Sequence, residues 1–328
     1  MNKSYFNYTD NFAKYERVRS HLIFGNPDIK SKLYTIAIPT FRRANLLDNA
    51  IKSVVDQTII GNYEILIVDN DINDMESERV VRKYQSANIC YYKNEENIGM
   101  FGNWNRCIEL AQGKYITILN DDDWLDKRYL ENCERHLKED VDGLYFRTST
   151  VDFRKNNFKK EKNKWLKKAI LTLSKTKKRI KLIDFFWGNM SAGTLGVLMK
   201  TEYLKKLGGY NEEYFPSSDY VLHSNYCHKH SVYYISKQLA YYRIHQNEST
   251  KQETLEKWEY IDNDIRKYYI KIIGRNRKIL LFLNEMIQNN RIKSLIDCWG
   301  YHTNTLVKRN IRHGLLSKLI SLKKLLNI

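Results

Sequence analysis

From residue 33 onward, short apolar runs alternate with stretches whose apolar residues recur every three or four positions. Residues 33–38, LYTIAI, form the first run and stop at Pro39-Thr40-Phe41-Arg42-Arg43. Asn45 is then placed to cap a helix with apolar positions Leu46, Leu47, Ala50, Ile51, Val54 and Val55. Residues 64–68 predict a second buried strand, ended by Asp69-Asn70-Asp71, and residues 89–92 a third. A polar loop over 94–102 precedes a helix over 104–112, with Gly113 as its C′ residue. Residues 115–119, YITIL, predict a fourth strand. Strands and helices joined by short connections predict βαβ units, hence an α/β fold on a mainly parallel sheet. Residues 141–153 predict a later strand, and residues 189–199 a small-residue turn leading into another. Residues 251–328 are helical by pattern, most clearly over 254–273 and 278–296. Residues 1–32 are polar with scattered aromatics and read as an extension packed loosely on the rest.

The ends of the first, second and fourth strands all carry polar residues: Thr40 and Arg42, Asp69 to Asp71, and Asn120 to Asp123. Three such rims on one edge describe a binding crevice. Adjacent carboxylates at Asp121, Asp122 and Asp123 repel one another. A cation such as Mg²⁺ or Mn²⁺ would relieve that repulsion, and an acidic helix N-terminus would also explain the run. Neither G-x-x-x-x-G-K-[ST] nor a helix-opening G-x-G-x-x-G is present, so these βαβ units lack the phosphate loop of a P-loop or dinucleotide fold.

Several spaced segments, in order, resemble family-2 glycosyltransferases of the bacterial surface-polysaccharide type. They are IAIPTFRR at 36–43, SVVDQT at 53–58, EILIVDND at 64–71 and NEENIGMFGNWNRCIELAQGKYITILNDDD at 94–123. The resemblance covers about residues 33–250 and implies a GT-A fold: a Rossmann-like, mainly parallel sheet flanked by helices, with 251–328 as a helical appendage. It divides the catalytic part into a nucleotide-binding half, 33–123, and an acceptor half, 124–250. It implies a nucleoside diphosphate sugar donor, UDP in the first place, a bound Mn²⁺ or Mg²⁺, and a saccharide or lipid-linked acceptor. Pro39, Thr40, Phe41 and Arg43 would cradle the nucleotide. Asp69, Asn70 and Asp71 would read the base, with Asn70 where relatives carry Asp. Asn97 and Gly99 belong to a loop that covers the nucleotide in relatives. Asp122 would be the direct metal ligand, Asp121 would touch the ribose or a metal-bound water, and Asp123 would be a second ligand or a helix cap. Arg106 would either reach the diphosphate or stand as an exposed helix charge. Asp219, in EEYFPSSDYVL at 212–222, takes the position of the general base in inverting members. Its alternative role is to cap the following helix. His245, in YYRIHQN at 241–247, matches a signature whose histidine meets the metal or diphosphate, and Arg243 would bind phosphate or pack structurally. His223, His228 and His230 lack the spacing of a zinc site.

Charge adds location. The formal net charge of +17 sits in two blocks: residues 154–181 hold thirteen Lys and Arg against one Glu, and residues 251–328 hold sixteen against seven acids. The first block suits either a solvated loop or a contact with a phosphate-bearing acceptor or anionic membrane. Leu315, Leu316, Leu319, Ile320, Leu322, Leu325 and Leu326 form a stripe among lysines. This suits a helix lying peripherally on the inner face of a membrane, packing on its own domain, or pairing with a second subunit. Five scattered cysteines and no apolar leader predict free thiols in the cytoplasm. No nucleic-acid-binding module is present in the sequence.

Overall fold

The computed structural model describes residues 4–27, 32–59, 61–84, 87–153, 177–245 and 251–303. At its centre four strands run parallel in the order β4-β3-β2-β5: β2 (Tyr34–Thr40), β3 (Tyr63–Asp69), β4 (Ile89–Asn94) and β5 (Tyr115–Ile118). All seven residues of β2 are buried, as a parallel strand covered on both faces requires. Ile36, Ile38, Ile65 and Ile67 pack against Leu47, Ala50, Ile51 and Val54 of α1 (Ala44–Val55) and Val81 of α2 (Met75–Arg82). Ala37, Leu66 and Val68 face the other way, onto Phe101, Trp104, Cys107 and Ile108 of α3 (Gly99–Leu110).

Pro39 sits inside an interior strand without breaking it. The Ala37 carbonyl accepts from Leu119 N–H, so alternate residues of β2, Pro39 among them, point toward β5. Pairing with β5 ends at Ala37 opposite Ile118, so the ladder asks no N–H of Pro39.

Beyond β5 the sheet turns mixed. β9 (Val197–Lys200) runs antiparallel to β5 and to β7 (Gly143–Asp152), which lies parallel to β10 (Val232–Ile244). β6 (Trp124–Leu125) and β8 (Lys177–Arg179) both pair antiparallel with β10. The Gln252–Ile273 and Arg277–Trp299 helices form a hairpin that buries Ile265 and Tyr269 in the main core.

Four local expectations are corrected. The N-terminal segment is integral: β1 (Ser20–Phe24) pairs antiparallel with β4, and Tyr5 is buried in the core. α1 starts one residue before Asn45, with Arg43 at the N-cap and no side-chain cap. α3 begins at Gly99, because Gly99 takes φ +74° and the Asn97 carboxamide accepts its N–H, so the 94–102 loop is short. Gly113 is not a C′ residue either. It lies past the end of α3, where a Cβ would come 2.4 Å from the Thr35 nitrogen. Residues 154–176 of the basic block and the 315–326 stripe lie outside the described residues.

Candidate active site

The C-terminal ends of β2, β3 and β5 open on one cleft of about 1210 Å³. Its lining includes Pro39, Thr40, Phe41, Arg43, Asn70, Asn97, Gly99, Asp121 and Asp122 on the strand-end side. Asn189, Ser191 and Asp219 line it from across, and Trp258 and Arg291 from the C-terminal hairpin.

The acidic run after β5 is divided by function. Asp121 accepts from Thr40 Oγ1 at 2.8 Å and from Arg43 Nη1 at 3.2 Å. Burial pushes its carboxyl up to about 6, with Arg43 opposing. Asp122 Oδ2 meets His245 Nε2 at 2.8 Å and Arg43 Nη1 at 3.3 Å. Asp123 turns away from the cleft: it accepts Arg243 N–H at 2.9 Å and so clasps β10, and burial raises its pKa. It caps no helix, since the next helix, α4 (Tyr129–His136), has Arg128 at its N-cap. Arg243 also packs structurally. Its Nε donates to the Asp122 carbonyl at 2.8 Å, and its guanidinium lies 4.3 Å from the Phe153 ring centroid and 5.2 Å from that of Trp124.

After β3, Asn70 alone of its triplet reaches the cleft. Its carboxamide donates to Asn97 Oδ1 at 2.6 Å and accepts from Asn94 Nδ2 at 3.0 Å and Ile98 N–H at 3.1 Å. An aspartate there would lose the donor, which gives a physical reason for the amide. Asp69 is fully buried under it, bound by Tyr91 Oη at 2.7 Å and pushed up to about 7 by burial. Asp71 pairs with Arg42 at 2.6 Å, which holds its carboxyl below the usual range. Both are corrected from direct nucleotide contacts to supports. Arg106 is corrected too. It is buried, neither at the cleft nor exposed, and it binds Glu109, Ser20 Oγ and the Tyr15 carbonyl, tying the N-terminal segment to α3.

Asp219 lies in the first turn of the Ser218–Lys229 helix, whose N-cap is Ser217. Asp219 is therefore not the N-cap residue, although its carboxylate accepts backbone N–H groups of this first turn. Asn189 Nδ2 donates to it at 2.6 Å, and burial pushes its pKa up to about 6. Behind it, His223 bridges Ser191 Oγ at 3.2 Å and Tyr210 Oη at 3.0 Å. Burial lowers His223 to about 3, so it stays neutral. Asn189 and Asn94 were marked in the sequence only as the starts of a turn and a loop, and Asn103, which accepts from Asn94 Nδ2 at 3.0 Å and donates to the Val68 carbonyl at 3.0 Å, was not singled out, because an isolated asparagine carries no spacing signal.

The model for glycosyl transferase family 2 matches residues 35–208, the stretch that builds the strand-end wall and β9. The chain belongs to that family. Its likeness to individual glycosyltransferases is moderate. A glucosyltransferase of Campylobacter jejuni, named as acting on GalNAc(5)-diNAcBac-PP-undecaprenol and forming a beta-1,3 link, is 26% identical over 282 residues, covering 80% of this chain and 86% of that one. An uncharacterized glycosyltransferase of Methanocaldococcus jannaschii is 28% identical over 201 residues, 59% of this chain and 64% of that one. Among solved structures, S. aureus TarS residues 1–349 with UDP-GlcNAc match at a TM-score of 0.58 and 14% identity, covering 89% of this chain and 81% of that one. These structures confirm the GT-A fold expected for the glycosyltransferase.

Among the described residues, no group of three or more His, Cys, Asp or Glu side chains forms a metal cage. The donor set still fits a divalent cation of the nucleotide-bound kind. Mg²⁺ beside a diphosphate takes one or two protein ligands and draws the rest from phosphate and water. Asp122 Oδ2 and His245 Nε2, hydrogen-bonded to each other at 2.8 Å, are side chains that could supply such ligands. An imidazole ligand favours Mn²⁺ over Mg²⁺.

Proposed function

We propose that this glycosyltransferase is an inverting, divalent-metal-dependent enzyme. It moves a sugar from a nucleoside diphosphate, UDP in the first place, to a hydroxyl of a lipid-linked saccharide or cell-surface glycan. One observation carries the reading: a single cleft has Asp122, whose carboxylate meets His245, on one wall and the buried carboxylate Asp219 on the other. The donor class draws support from UDP and UDP-GlcNAc in the TarS structures and from GDP-Man and Mn²⁺ in a Pyrobaculum calidifontis mannosyltransferase. The acceptor class draws support from the diphosphoundecaprenol substrates in the names of relatives.

In this mechanism Thr40, Phe41, Asn70 and Asn97 shape the nucleotide end, and Arg43 offers a cation to the diphosphate. Asp122 and His245 would hold the metal, which when bound acts as a Lewis acid toward the leaving diphosphate. Asp219 takes the proton from the acceptor hydroxyl. That oxygen bonds to the anomeric carbon as the bond to the diphosphate oxygen breaks, and the electron pair leaves with the diphosphate. Attack opposite the leaving group inverts the anomeric centre. Asn189 keeps the base oriented through its hydrogen bond. Thermal melts with a panel of nucleotide sugars and Mn²⁺ test the donor, because a ligand that binds the folded state raises Tm. UDP-sugars should give the largest shift. A flat panel overturns the donor class, and a product that keeps the donor's anomeric configuration overturns the inverting mechanism.

A further inference from the structure

The tip of the C-terminal helical hairpin gathers exposed apolar and basic side chains in one place. Ile279, Leu281 and Phe282, in the first turns of the Arg277–Trp299 helix, are 59%, 43% and 62% exposed. Leu280 and Ile287 of the same helix turn inward to pack with Ile270 and Phe186, so the outward set is held by a packed helix. Arg275, Arg277 and Lys278 immediately precede this set in the chain and are exposed. Lys267–Asp264 and Arg291–Asp262 are ion pairs within the hairpin, and neither involves these three. Lys278, Leu281, Phe282 and Glu285 follow three- and four-residue spacing and share a face, with Glu285 its one acid.

Large apolar side chains beside a basic cluster match a lipid interface with anionic headgroups. A second copy of the chain fits poorly, since an isologous contact would set these basic tips against each other. We infer that this tip docks on an anionic lipid surface. Ile279, Leu281 and Phe282 enter the interfacial layer, and Arg275, Arg277 and Lys278 meet the headgroups. This tip is a different segment of the chain from the stripe at 315–326, which lies outside the described residues. The helix that carries the tip also lines the cleft through Ile287 and Arg291. Five residues at the helical rise put Ile287 about 7.5 Å along the axis from Phe282. Docking therefore sets the far end of the cleft close to the bilayer. The use of that position for a lipid-linked acceptor rests on the transferase reading; the docking does not.

Flotation of the full chain with phosphatidylcholine vesicles, with and without phosphatidylglycerol, tests it. Binding should require the anionic lipid. The variant Arg275→Gln/Arg277→Gln/Lys278→Gln should bind about a hundredfold more weakly, at about fivefold per charge. Ile279→Ser/Phe282→Ser should lose about tenfold or more. Both variants should keep the wild-type thermal shift with UDP and Mn²⁺, or, if no nucleotide stabilises any form, the wild-type melting temperature and circular dichroism spectrum. Absent binding by the wild type, binding that ignores lipid charge, or binding that survives both variants overturns the docking. So does a dimer that Ile279→Ser/Phe282→Ser dissociates without vesicle binding. A failed transferase reading would instead show as absent nucleotide binding with vesicle binding intact.

Discussion

The two walls of the cleft treat negative charge in opposite ways. On the strand-end wall, Asp121 and Asp122 face the Arg43 guanidinium, and Asp122 also meets His245. Across the cleft, the side-chain partner of Asp219 is a neutral amide, Asn189, and burial leaves its carboxyl less acidic than usual. A carboxylate set against a guanidinium belongs to a network of opposite charges that suits an ionic ligand. A buried carboxylate whose side-chain partner is a neutral amide has no cation competing with a proton. The proposed mechanism puts binding and proton transfer on different walls, and each assignment can be broken separately.

The largest effect is expected at Asp219. Asp219→Asn should lower kcat by about 10²- to 10⁴-fold, the usual span for losing a general base, with little change in nucleotide binding. The fold should gain stability. The folded carboxyl titrates at about 6 against an ordinary 3.8, so its favourable contribution is complete below about pH 4 and lost as pH rises through about 6. At neutral pH the amide removes that penalty, a gain on the order of 1–3 kcal/mol in a thermal melt. Transfer within a few-fold of wild type would move the base elsewhere.

Asp122→Asn should act on the other wall. A cation's stabilisation of a leaving diphosphate amounts to several kcal/mol, so transfer should fall about a hundredfold or more. Unlike the Asp219 variant, it should also weaken UDP binding in the presence of Mn²⁺, read by calorimetry. Equal nucleotide affinity with and without Asp122 would undo the division between the walls. Wild-type transfer should sharpen that division through pH. Below about pH 6 the rate should drop about tenfold per unit as Asp219 gains its proton, and Asp219→Asn should lose this limb. A limb that persists in the variant belongs to another group.

The strand-end wall was legible in the residue pattern itself, whereas on the facing wall only Asp219 and the 189–199 turn were marked, Asp219 through the family resemblance alone. Buried strands announce themselves by runs such as YITIL, and their polar ends follow within a few residues, so the rims at Thr40, Asn70 and Asp122 could be placed together. The facing wall is assembled over long distances: Asn189 meets Asp219 across 30 positions, and Ser217, which caps the Asp219 helix, donates to Asp262 at 2.6 Å across 45. No periodicity encodes such pairs. β1 was missed for a related reason. An antiparallel edge strand with two of its five residues exposed carries a weak apolar pattern, and its anchor is the buried Arg106, which looks like any helix charge until Ser20 and Tyr15 are seen around it. The aspartates that support rather than touch the cleft, Asp69 and Asp123, share residue type and neighbourhood with those that line it. Only the direction of the side chain separates them.

The smallest effect falls on Asn189. Its amide donates to the charged form of Asp219 and so favours ionisation against the desolvation that opposes it. In Asn189→Ala the carboxyl loses that donor, and the acid limb of the rate profile should move upward by about one pH unit, within the worth of a hydrogen bond to a charged group. At pH 8, above both limbs, transfer should fall only a few-fold, through looser positioning of the base. A variant that lost the same activity at every pH would make Asn189 a scaffold for the cleft and leave the basicity of Asp219 to burial alone. An upward shift would show that the facing wall tunes its carboxylate with a neutral donor, where the strand-end wall uses charge.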